Sequence, residues 1–155
     1  MSDYDGSKPL GAFYGFKYYI PPRGGGFVSM PYRIVLTDTM VLGVFKNNEI
    51  SVPKFNIKGN MDWDWIKTGA KSKLVEIGNI DEPLESLQKA GIKIDMAKVK
   101  EVKISKLDAD WTGDFYDVSF NAGWLDSKTF AVDHSILDSV KKLIGSTPLV
   151  SKLQT

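Results

Sequence analysis

Apolar positions along this chain recur mostly with period two. "GAFYGFKYYI" (11–20) is rich in aromatic residues, which favour strands. "PPRGGG" (21–26) then breaks the chain with consecutive prolines and glycines. "MPYRIVLT" and "MVLGVFK" are apolar runs that meet at the polar corner Thr37-Asp38-Thr39, and together they predict a hairpin. A turn at Asn47-Asn48 leads into a short strand interrupted by Pro53. In "NMDWDWIK" (60–67), Met61, Trp63 and Trp65 alternate with Asp62 and Asp64, the pattern of a half-buried strand. Gly69 ends that run, and "SKLVEIG" (72–78) is a further strand candidate.

The period changes at "IDEPLESLQKAGI" (80–92), where Leu84, Leu87 and Ala90 fall at helical spacing. Asp81 as N-cap, Pro83 in the first turn and Gly91 past the last turn frame a short amphipathic helix. "KIDMAKVKEVKISKL" then reads as extended, with Val102 and Ile104 alternating against lysines. "DFYDVSF" (114–120) and "SKTFAV" (127–132) predict two more strands, joined through a turn at Asn121-Ala122-Gly123. "DHSILDSVKKLIG" (133–145) sets Ile136, Leu137, Val140, Leu143 and Ile144 on one helical face, with Asp133 or Ser135 as cap and Gly145 as stop. Residues 1–9 read as a loose leader and 146–155 as a tail. The expected class is mainly β with some α: an antiparallel bent sheet or barrel, one short inserted helix, and a C-terminal helix over one opening.

The stretch "YRIVLTDTMVLGVF" resembles the early hairpin of pleckstrin-homology-like domains of the GRAM and bacterial type, in which a strand ending in Leu-Thr-Asp turns into a second apolar strand. "IKIDMAKVKEVKIS" is similar to their next element, and "DFYDVSF", "KTFAV" and "ILDSVKKLI" resemble their later strands and C-terminal helix. The resemblance covers residues 31–46 and 92–145. It implies a bent barrel over 31–145, with 1–30 as an N-terminal extension and 47–91 as an insertion. It also implies a recognition scaffold, since such folds bind lipids, peptides or other proteins. Phosphoinositide-gripping members surround the first hairpin with cations. Here an acid, Asp38, sits at the centre of the turn, and Arg33 and Lys46 alone flank it. That site is not carried over, and Thr37 and Asp38 read as turn formers that bond nearby backbone N–H groups.

A length of 155 residues suits a single domain. The absence of cysteine excludes disulfides, thiolate metal sites and cysteine nucleophiles. Twenty cations balance nineteen acids, so no electrostatic drive towards nucleic acid is expected. Only Arg23 and Arg33 supply guanidinium groups, which argues further against a phosphate-binding surface. No apolar run reaches the ~20 residues that span a bilayer. "MSDYDGSKPLG" has neither the basic nor the apolar region of a secretory signal, so a cytoplasmic protein is expected, with membrane contact at most peripheral.

Catalytic motifs are weak. His134 is the single histidine, and it stands at a predicted helix start beside Asp133, a poor setting for a Ser-His-Asp triad. "DADWTGDFYDVS" (108–119) sets Asp108, Asp110 and Asp114 at calcium-loop positions. Its twelfth residue is Ser119 rather than a bidentate Glu, so an acidic hairpin turn is the better reading than a metal site. "TGAKSK" (68–73) lacks the Gly before lysine that a phosphate loop needs. Asp62 and Asp64 share the polar side of a strand, with nothing in the sequence to raise their pKa. We therefore expect no enzyme and no cofactor.

The insertion holds the more suggestive chemistry. Trp63 and Trp65 lie beside Lys67, Lys71 and Lys73, a composition suited to a partner surface or a membrane interface if the tryptophans face outwards, and to a core strand if they face inwards. Six lysines between Lys89 and Lys106 are followed by five aspartates between Leu107 and Ser127, a separation of charge able to steer a partner. The expected function is a non-catalytic module that recognises a protein or itself through the insertion 47–91. Peripheral membrane binding through 61–73 is the alternative, and a carboxylate- or metal-dependent enzyme the next.

Overall fold

The computed structural model describes residues 3–19, 28–45, 54–55, 61–62, 75–78, 80, 82–106, 115–124 and 126–154. Its strands are β1 (Pro9–Tyr19), β2 (Val28–Thr37), β3 (Met40–Phe45), β4 (Lys54–Phe55), β5 (Met61–Asp62), β6 (Val75–Ile77), β7 (Ile92–Asp95), β8 (Glu101–Lys106), β9 (Phe115–Asn121), β10 (Lys128–Asp133) and β11 (Leu153–Gln154). The helices are α1 (Leu84–Gln88) and α2 (Leu137–Gly145). Nine strands form one sheet in the order β11-β8-β9-β10-β1-β2-β3-β7, with β6 on β1, while β4 and β5 pair separately. The sheet is mainly antiparallel and is not closed: β7 and β11 are its ends.

Alternation explains how this sheet acquires two apolar layers. In β2, Ile34 and Leu36 join one cluster and Val35 joins another. In β3, Val41 joins the first, and Met40 and Leu42 the second. Successive strand side chains point to opposite faces, so this stretch is buried on both. The larger cluster unites β7 at one end of the sheet with Val102, Val118 and Phe120 towards the other, which requires the sheet to curl around a common core. α2 seals that core with Leu137, Val140, Leu143 and Ile144, each worth about 1.5–3 kcal/mol when fully buried. Gly11 permits the seal, because a Cβ there would lie 2.4 Å from Leu143 Cδ1 and 2.6 Å from the Glu76 carbonyl oxygen. The smaller cluster is closed by Leu87 of α1 and by Ala90, with Tyr4 packed against it.

Several expectations change in detail. β1, placed by sequence within the N-terminal extension, is central: it pairs with β2, β6 and β10. The leader is not loose. Ser7 Oγ donates to Thr37 Oγ1 (2.7 Å), Thr39 Oγ1 donates to Asp5 Oδ2 (2.5 Å), and the Tyr4 hydroxyl donates to the Ser7 carbonyl. The corner that opened the hairpin therefore holds the N-terminal segment, while Thr37 Oγ1 also accepts from the backbone N–H of Thr39 and Met40. The tail forms a 3-10 turn capped by Thr147, then β11, which runs parallel to β8. α1 begins after Pro83, without a side-chain cap, and Asp81 lies outside the described residues. The C-terminal helix starts as a 3-10 turn over His134–Ile136, capped by Asp133 through Ser135 N (2.7 Å).

Candidate functional site

β1 and β10 meet at a single register pair among the described residues, Phe16 opposite Ala131. β1 nevertheless runs on to Tyr19, still paired with β2, and β10 begins at Lys128, already paired with β9. Beyond Phe16 no further register pair joins the two strands among the described residues, and an open polar groove of about 460 Å³ lies there. Among the described residues its lining is Lys17 from β1, Asp117 and Ser119 from β9, Ser127, and Lys128 and Thr129 from β10.

Ser119 and Thr129 are cross-strand partners whose hydroxyls bond to each other at 2.8 Å. Ser127 closes the β9–β10 turn: its Oγ donates to the Gly123 carbonyl (2.5 Å) and accepts from Ala122 N–H (3.2 Å). Gly123 adopts φ +89°, a conformation that favours glycine. The turn so held presents Trp124 at 93% exposure, unusual for a large aromatic side chain. Lys17 has a pKa below the usual lysine value, first because burial penalises its charge and then because Lys128 repels it. The groove thus holds two mutually repelling cations, Lys17 and Lys128, and one carboxylate, Asp117.

A second feature is a mount for the insertion. Arg33 projects from β2 into the layer under α1, where its Nε lies 2.9 Å from Glu82 Oε2. Glu76 Oε1 of β6 lies 3.5 Å from its Nη2, and the guanidinium sits 5.3 Å from the Tyr14 ring centroid. Burial opposes the charge of Arg33, but Glu82, Tyr14 and Glu76 outweigh it and raise the pKa above the ordinary arginine value. Sequence reading took Arg33 as a flanking cation of the hairpin. It is instead the clasp that fastens two points of the insertion to the sheet. Outside the clasp, Ile77 and Leu84 of the insertion face solvent.

The insertion residues favoured by sequence, Trp63, Trp65, Lys67, Lys71 and Lys73, lie outside the described residues, as do Asp108, Asp110 and Asp114. His134 is exposed and stacked on Tyr116, centroids 5.6 Å apart, while the Asp133 carboxylate accepts from Ser135 N–H. Sequence reasoning missed Lys17, Lys128 and Trp124. Trp124 carried a signal, being a large aromatic inside a turn sequence with no periodic partner. No helix among the described residues is long and apolar enough to cross a membrane. No protein-family model, curated protein or solved structure matches the chain.

Proposed function

We propose that this chain is a non-catalytic recognition module of pleckstrin-homology-like design that takes a protein ligand in the groove between β1 and β10. The strand order supports the design: β1, β2, β3 and β7 form a four-strand meander, β8, β9 and β10 a three-strand one, and α2 covers the core they share. On this reading β1 is the first barrel strand and 47–91 the insertion. The observation that carries the function is the pairing of Lys17, desolvated and repelled, with Lys128 across a concave polar surface. Two cations against one carboxylate, Asp117, leave room for one more anionic group. In the described part of the insertion, Leu87, Ala90 and the Arg33 clasp pack inwards, while Ile77 and Leu84 face solvent.

The test is site-directed photo-crosslinking in a cell extract, with the photoreactive residue at Thr129 and, as control, at Lys142 of α2. A discrete protein adduct is expected from Thr129 alone, abolished by Lys17→Glu with Lys128→Glu. Adducts equal from both positions, or indifferent to charge reversal, would refute the reading. Trp124 favours a second reading, peripheral docking on a membrane, since an exposed indole suits the lipid interface. Adducts to lipid rather than protein would establish it.

A further inference from the structure

The geometry points to an extended, acidic segment of a partner protein as the occupant of this groove, its carboxylate set between Lys17 and Lys128 and its backbone along the facing strand edges. This rests on the recognition reading above and names the ligand.

Three observations select a peptide. First, β1 and β10 are each paired on their outer side, through Tyr19 opposite Val28 and Lys128 opposite Phe120. Their facing edges lack register with each other beyond Phe16 and Ala131. Both strands therefore stay extended and direct backbone donors and acceptors towards the gap, the arrangement that an added strand exploits. Second, Lys17 and Lys128 make an anion the fitting group between them. Third, the same wall carries the Asp117 carboxylate together with Ser119 and Thr129. A carboxylate there disfavours a dense anionic surface. A peptide brings both an N–H row and a single acidic group; a phosphate or a sheet of anionic headgroups brings only the charge.

The experiment uses the full chain and a labelled, strand-prone octapeptide with one central Glu. Comparison probes are the matching Gln peptide, inorganic phosphate, and phosphatidylcholine vesicles with and without phosphatidylserine. Binding is read by fluorescence anisotropy or co-sedimentation, and backbone engagement by amide hydrogen exchange. The Glu peptide should bind about tenfold more tightly than the Gln peptide, the scale of one charge-assisted hydrogen bond. Lys17→Gln and Lys128→Gln, checked for folding by circular dichroism, should each remove most of that difference and leave the Gln peptide unaffected. Exchange should slow at residues 17–19 and 128–130. Equal binding of the two peptides, or unchanged exchange at both edges, would overturn the proposal. Lysine-dependent binding of phosphate or of phosphatidylserine vesicles, without peptide binding, would also overturn it while leaving the groove as a recognition site. Loss of the charge-sensitive protein adduct at Thr129 would strike the recognition reading itself.

Discussion

Replacing Arg33 by Met should destabilise the chain by about 3–5 kcal/mol, the range for removing one partner of a buried ion pair. The structure sets that magnitude. The side chains of Arg33 and Glu82 are only 6% and 5% exposed, so the Glu82 carboxylate left behind would lose its guanidinium in a place water barely reaches. Glu76 is 39% exposed at 3.5 Å, and solvent screens most of its share. Glu82→Gln should cost less, about 1–3 kcal/mol, because an amide can still accept from Arg33 and Glu76 remains beside the cation. The double variant Arg33→Met with Glu82→Leu removes both charges together and should recover most of the loss, since apolar replacements of buried pairs are often close to neutral. Urea unfolding followed by far-UV circular dichroism measures all three, and the first variant should lower the midpoint by about 1–3 M. Hydrogen exchange adds a local readout: in Arg33→Met, amides of β6 and α1 should exchange faster than those of β9 and β10. An Arg33→Met loss below about 1 kcal/mol, or a double variant as unstable as the single one, would refute the claim that a mutually compensated pair holds the insertion. Faster exchange spread evenly over the sheet would refute the claim that its effect is local.

Gly11→Val should cost at least about 1–3 kcal/mol by overpacking, because β6 backbone blocks one side of the new side chain and Leu143 the other; an unchanged thermal midpoint would contradict the close approach. Thr37→Val keeps the shape but removes the buried acceptor of Thr39 and Met40 N–H, and calorimetry should register a loss of about 1–3 kcal/mol. Asp5 has its carboxyl pKa lowered by hydrogen bonds from Ser7 and Thr39. A depressed folded-state pKa means that the N-terminal contact is fully held above the unfolded carboxylate value and is lost as pH falls through the lower folded one. Proteolysis or exchange at residues 4–7 should therefore rise in that acid window, and Asp5→Asn should abolish the pH dependence.

The elements legible in the sequence were those whose period is local. α2 was readable because Ile136, Leu137, Val140, Leu143 and Ile144 repeat at helical spacing, and all five are buried. The hairpin at Thr37 was readable because two apolar runs meet at turn formers, and Tyr32 to Leu36 pair with Val41 to Phe45 as that pattern requires. Long-range pairing leaves no such local trace. β1 looked like an extension because nothing within "GAFYGFKYYI" says that its partners are β6 and β10, far along the chain, as well as β2. The groove exists only through that pairing, so Lys17 and Lys128 were unremarkable as isolated lysines. They acquire meaning when one register pair, Phe16 with Ala131, brings the ends of their strands together. Arg33 illustrates the same limit from the opposite side. Its place in an apolar strand announced a burial that some carboxylate had to compensate, yet only the folded layer identifies Glu82 as that carboxylate. The chemistry of this chain is therefore written less in motifs than in which distant polar residues the sheet brings to one face.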